Sequence, residues 1–211
     1  VAGGALLFEE KQYAWVSLCA AVLACVPFFL HFERKTGSTQ TLILVAAMVA
    51  LSVVGRILFT PLPGFKPVTA LVVITGMYFG GEAGFMTGAL SAVISNFWFG
   101  QGPWTPFQMV SWGLIGFIAG LLASLLRRSS ILLAVYGLFS GALFSLLMDT
   151  WTVLWQDGYF NLSRYWGYVL SSLPWMAVYA LSNVIFLLLF TPLVGKVLER
   201  IKTKYGLQGR R

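Results

Sequence analysis

The sequence predicts an all-α fold, a polytopic membrane helix bundle, and three observations predict it. Hydrophobic residues make up 58% of the 211 residues and charged residues only 10%, a balance found in membrane chains. The apolar residues come in runs of span length, and the cations sit at the ends of those runs instead of along them. Between the runs lie connectors built of Pro, Gly and Trp that are almost uncharged, most clearly from Gly55 to Gly120.

Seven apolar segments follow one another: Tyr13–His31, Thr41–Phe59, Pro67–Phe79, Glu82–Trp98, Pro106–Leu126, Ile131–Leu154 and Tyr168–Leu198. A span needs about 20 residues at about 1.5 Å each. Five segments meet this; the third and fourth are short and separated only by Gly80 and Gly81. Short or glycine-interrupted segments in a transporter tend to lie near its binding site. The first run lacks a basic leader region and carries Glu9 and Glu10 before it, which argues against a signal peptide. A single transmembrane domain spanning residues 1–211 is expected, with no internal repeat, no linker and no soluble domain.

Charge fixes the expected orientation. With the C-terminus in the cytoplasm, the inner connectors hold Arg34, Lys35, Arg127 and Arg128, and the tail holds Lys196, Arg200, Lys202, Lys204, Arg210 and Arg211. The outer connectors hold only Lys66, Asp157 and Arg164, so the pattern is positive-inside. The net charge of +7 therefore reads as membrane anchoring, not as nucleic-acid binding. Cys19 and Cys25 share one apolar segment without CxxC or metal spacing, and buried thiols are expected there.

This orientation gathers three connectors on the outer face: Pro61–Pro67, Phe99–Pro106 and Trp151–Trp166. Proline restricts the loops before any ligand arrives, and glycine allows close backbone approach. Aromatic faces bury large flat solutes while amides and charges orient them. Phe65, Lys66, Gln101, Trp104, Trp155, Asp157 and Tyr159 are the candidate contacts in these loops. An aromatic belt accounts equally well for single residues such as Trp166 and Tyr168, but a belt has no need of Gln101-Gly102-Pro103-Trp104-Thr105-Pro106.

Polar groups inside the apolar segments extend the candidate site. Asn96 and Gln108 flank the second outer loop, and Arg56 and Asp149 lie near outer helix ends. Arg56 and Asp149 read as an ion pair, as two ligand contacts, or as side chains snorkelling to the interface. Glu82, at the start of its helix, reads as a dipole-complementing residue, and Asn183 as an interhelical hydrogen bond. Ala46 and Ala50 are spaced for close helix approach, as are Gly113, Gly116 and Gly120, although Ala20 and Ala24 repeat the pattern.

Much chemistry is missing. No GxxxxGK[ST], HExxH or GxSxG occurs, so ATP-phosphate binding, zinc-protease and serine-hydrolase motifs are absent. The single histidine, His31, falls on the inner side, away from the aromatic loops. No catalytic residue, metal ligand set or resident cofactor is assigned, and the carboxylates lie near interfaces instead of the midplane, where a proton-coupled carrier would hold them. A solute-binding membrane chain without an energy source requires a partner that has one.

The chain resembles the substrate-binding S-components of energy-coupling factor (ECF) vitamin transporters over about residues 41–204. The resemblance rests on the Ala46/Ala50 helix, on the two short helices joined by FGGEAG, and on the PWTP loop. It implies a six-helix S-component-like core plus one extra N-terminal helix at residues 13–31, in a bacterial cytoplasmic membrane. It further implies a vitamin taken from outside under the outer loops, docking through Ala46 and Ala50 on a transmembrane coupling protein, and two ABC ATPases driving the complex. The cobalamin-specific branch is the most similar, so cobalamin is the expected transported ligand; riboflavin, folate, pantothenate and queuosine-type bases are the alternatives. Two other readings stand beside it: a stand-alone secondary carrier, suggested by the interrupted helices, and an intramembrane enzyme using Asp149 and Asp157.

Overall fold

The computed structural model describes residues 19, 22–27, 29–30 and 39–204. These residues form helices and short connectors, with no strand among them. The helices are α1 (Thr39–Leu58), α2 (Val68–Phe79), α3 (Gly81–Phe99), α4 (Thr105–Leu121), α5 (Ala123–Leu126), α6 (Ser130–Asp157) and α7 (Leu162–Lys204). Among the described residues, α1, α6 and α7 are long and apolar enough to cross a membrane, while α2 and α4 are apolar but shorter.

The element boundaries correct the sequence reading in two places. Pro106–Leu126, expected as one span, is two helices, because Leu122 ends α4 and begins α5 with a backbone (φ −92°, ψ 10°) outside the helical region. The expected outer loop Trp151–Trp166 is mostly helical: α6 runs through Asp157, α7 starts at Leu162, and Gly158 turns the chain with φ +74°. Most of the expected Tyr13–His31 helix, His31 included, lies outside the described residues, but those described within it are helical. Cys25 is buried there against Phe85 and Ala89 of α3, whereas Cys19, expected to be buried, is exposed.

Helix α2 explains the architecture. Its sequence is apolar on all sides, and every residue from Val68 to Tyr78 is buried. A helix with no polar face belongs at the centre of a bundle, and α2 packs against α1, α3, α4 and α7. Pro67 precedes it, where a missing N–H costs nothing. The short helices meet at backbone distance: a Cβ on Gly116 would lie 2.4 Å from the Gly84 carbonyl oxygen, and one on Gly76 would lie 2.2 Å from that of Gly116. Only glycine permits such an approach, and without a strong hydrophobic drive between helices in lipid this packing is what holds them.

Around this core, α6 and α7 form the long wall. α7 has 43 residues, about 65 Å of helix, so it projects beyond a bilayer core of about 30 Å. Connectors 59–67, 100–104 and 158–161 gather at one end of the bundle, where Trp104 packs on Trp151 and Lys66 lies over Phe99. Gly80, the α5–α6 turn and the last turns of α7 gather at the other, where Lys202 Nζ donates to the Tyr78 carbonyl at 3.1 Å.

Candidate functional site

A cavity of about 130 Å³ opens beneath connector 59–67. Its lining comes from every major helix except α3: Arg56 from α1, Gly64 and Lys66 from the connector, Thr69 from α2, Gln108 and Trp112 from α4, Phe144 from α6, and Tyr179 and Asn183 from α7. Two physical features stand out, a set of aromatic faces and a pair of cations.

The aromatic wall crosses three helices. Trp112 and Phe144 are stacked, with centroids 5.1 Å apart and planes 15° from parallel. Tyr179 meets Phe144 edge-on at 5.6 Å. Asn183 Nδ2 donates to Ser140 Oγ at 3.1 Å, the interhelical bond expected of it, and it also lines the cavity.

The connector is held in place from α7. Ser182 Oγ accepts from the Lys66 N–H at 2.9 Å and donates to the Lys66 carbonyl at 3.2 Å. Gly64, at φ +75°, lets the connector lie against Val178 and Tyr179; a Cβ there would sit 2.9 Å from Val178 Cγ1. Lys66 thus has its backbone fixed while its ammonium is placed over the Phe99 ring, 4.5 Å from the centroid.

Arg56 anchors a polar network that joins α1, α3 and α4. Its guanidinium donates to Ser95 Oγ and, at 2.8 Å, to Asn96 Oδ1. Asn96 Nδ2 in turn donates to Gln108 Oε1 at 2.7 Å and to Thr105 Oγ1 at 2.9 Å. Thr105 donates to Gln101 Oε1 at 3.0 Å, and Gln101 Nε2 donates to the Val93 carbonyl at 2.8 Å. The same guanidinium lies 4.5 Å from the Phe99 centroid and 5.1 Å from that of Trp112. A fully connected network of this kind fixes side-chain positions more strongly than isolated bonds do.

Of the expected site residues, Arg56, Lys66 and Gln108 line the cavity, and Asn96 and Gln101 stand behind them in the network. Trp104 is not in the lining; it meets Trp151 edge-on at 6.0 Å, and Trp151 stacks on Trp155 at 6.2 Å, forming an aromatic ladder at the α6 end. Phe65 turns inward, 5.0 Å from Phe186 and 6.3 Å from Phe59, and packs against the main core. Asp157 pairs with Arg164 at 2.7 Å, and Tyr159 is 58% exposed outside the lining.

The expected ion pair of Arg56 with Asp149 is not made: Arg56 turns to Ser95 and Asn96, and Asp149 accepts from Ser172 Oγ at 2.7 Å. Trp112, Phe144, Tyr179, Gly64, Thr69 and Asn183 join the lining without having been singled out as contacts. On α1, Ala46 and Ala50 lie on an exposed strip with Ile43 and Val54.

A helical bundle with a polar and aromatic cavity under a pinned connector suits a membrane solute-binding subunit. The chain belongs to the family described as ECF-type riboflavin transporter, S component, whose model matches residues 36–200. No curated protein and no solved structure matches the chain. It is therefore a multi-pass membrane protein and a transport subunit, of a family whose members bind a vitamin and work with a coupling protein and ATPases.

Proposed function

We propose that this chain binds riboflavin, or a close flavin, in the cavity beneath connector 59–67 and delivers it to an ATP-driven coupling module. The observation that carries the reading is a cavity lined together by Trp112, Phe144 and Tyr179 and by Arg56, Lys66, Gln108 and Asn183. An isoalloxazine ring offers a flat apolar face to such a wall, and its carbonyls and ring nitrogens accept from amides and guanidinium. The family description supports the flavin in preference to the corrinoid expected from the sequence.

Size points the same way. A cavity of about 130 Å³ is smaller than the roughly 300–1,000 Å³ of ordinary small-molecule pockets, so the connector must lift for any vitamin. A flavin asks for a modest opening; a corrinoid, several times larger, asks for the bundle end to be rebuilt. The outer loops face the cell exterior, given the basic C-terminal turns of α7. The exposed Ala46/Ala50 strip of α1 is the face that docks on the coupling protein, where small side chains allow backbones to approach.

The test is competition for the purified full chain between riboflavin and cyanocobalamin, read by the vitamin retained after gel filtration. Yellow flavin retained at one equivalent, undisplaced by excess cyanocobalamin, is the expected result. Retained corrinoid and absent flavin would return the site to the larger ligand.

A further inference from the structure

A second recess opens beside the break at Leu122, on a face of the bundle away from the solute cavity. It holds about 380 Å³, within the roughly 300–1,000 Å³ of ordinary small-molecule sites. α4, α5 and α6 line it together, with Leu122, Leu125, Leu132, Val135 and Phe139 among the lining side chains. Among the described residues, Tyr136 brings the one hydroxyl of the lining, and that hydroxyl donates to the Ile115 carbonyl. The recess therefore offers no free polar side chain, and it suits an occupant made of hydrocarbon.

Its depth and its mouth narrow the choice. From Ser130, where α6 begins, to Phe139 is about 14 Å of helix at 1.5 Å per residue. That is about half of a hydrocarbon core of about 30 Å, the depth of one leaflet. A partner helix would cross the whole core, whereas an acyl chain of one leaflet ends where the recess ends. At the mouth lies connector 127–129. Arg127 turns to Glu199 and the Tyr78 ring, but Arg128 is exposed, and its backbone N–H donates to the Leu125 carbonyl at 3.1 Å, which places it beside a residue of the lining. The first N–H groups of α6, which no helical carbonyl can meet, share this turn. A basic residue at a membrane interface is ordinary; one at the mouth of a leaflet-deep apolar recess marks a place for an anionic head group.

We propose that the recess is a site for one anionic phospholipid of the leaflet at this end, its acyl chain lying against α4, α5 and α6 and its phosphate meeting Arg128 and the first turn of α6. The lipid joins α5 to α6 where the α4 helix is broken. A zwitterionic head group would carry its own cation to Arg128, so the net negative charge is what the mouth selects.

The experiment is native mass spectrometry of the purified, delipidated full chain, titrated with phosphatidylglycerol and with phosphatidylcholine of identical acyl chains. The first phosphatidylglycerol should bind at least about fivefold more tightly than the first phosphatidylcholine, the worth of about one basic residue at a membrane surface. Arg128→Gln should remove that preference, while Arg200→Gln, an exposed cation of the same end outside the lining, should leave it within about twofold. Val135 is 54% exposed, so Val135→Trp fills the recess without entering the core, and it should abolish the tight first site. Equal binding of the two lipids by the unaltered chain overturns the proposal. So does a preference that survives Arg128→Gln, or one that falls as far in Arg200→Gln. A preference that survives Val135→Trp overturns it too, because the phosphate then adsorbs at the connector without the recess.

Discussion

The two ends of the bundle treat their charges differently. At the end bearing Gly80 and the last turns of α7, Arg127 pairs with Glu199 and lies over the Tyr78 ring, 4.6 Å from its centroid, while Lys202 donates to the Tyr78 carbonyl. Here Arg127 has a carboxylate partner, Lys202 rests on a neutral carbonyl, and the cluster ties α7 to the end of α2. At the cavity end, Arg56 and Lys66 are placed with equal care, by the Asn96 network and by Ser182, yet no carboxylate among the described residues meets them. Two adjacent cations over one ring, with no acidic side chain in the lining, set the cavity end apart from the Arg127–Glu199 pair. Both ends are rich in tyrosine, arginine and lysine, so composition alone does not distinguish them.

Both ends stand on one scaffold, and the largest effect is expected from breaking it. Gly116→Val places a side chain where a Cβ already lies 2.4 Å from the Gly84 carbonyl oxygen and 2.5 Å from its carbon. Neither backbone can yield cheaply, so a loss of more than about 3 kcal/mol is expected. Thermal unfolding in detergent, followed by gel filtration, should show an aggregated or strongly destabilised chain. A stable variant would mean that the α2–α3–α4 seam is looser than its geometry.

A second substitution separates binding from transport. Ala46→Leu with Ala50→Leu enlarges an exposed strip of α1 that touches neither end cluster. Flavin binding by the purified chain should stay within about twofold of the unaltered one, under 0.5 kcal/mol. Uptake by cells holding the whole complex should fall to background. Retained uptake would remove the docking role from this strip.

The smallest effect belongs to the end opposite the cavity. Arg127 and Glu199 are 36% and 52% exposed in their side chains, and ion pairs of that exposure contribute about 0–1 kcal/mol. Arg127→Gln should therefore lower the melting temperature by only about 2–4 °C at most. A larger drop would show that the cation–π contact with Tyr78 and the tie to α7 act as one unit.

Part of this contrast is legible in the sequence, for a physical reason. Arg56, Asn96 and Gln108 stand out because polar groups in apolar segments need partners, and those three find one another. Lys66 stands out as the lone cation of its connector. Trp112, Phe144 and Tyr179 do not stand out, because an aromatic residue in an apolar helix reads the same whether it faces lipid, core or cavity. Their meeting depends on how α4, α6 and α7 pack, which no local pattern reports. Phe65 misleads in the opposite direction: it lies in the right connector, but the chain turns it into the core against Phe186. The helices are read well where they are long and amphiphilic at their ends; the break at Leu122 has no local signal, since Leu121 and Ala123, both good helix formers, flank it.

The most direct test of the contrast sets one cation from each end side by side: calorimetric titration of riboflavin into Arg56→Gln and Arg127→Gln of the full chain. Arg56→Gln should weaken binding by about ten- to a hundredfold, the loss of a charge-assisted hydrogen bond in a part-buried site, while Arg127→Gln should stay within about twofold. Equal losses in both variants, or a greater loss in Arg127→Gln, would contradict the assignment of the solute site to the cavity end.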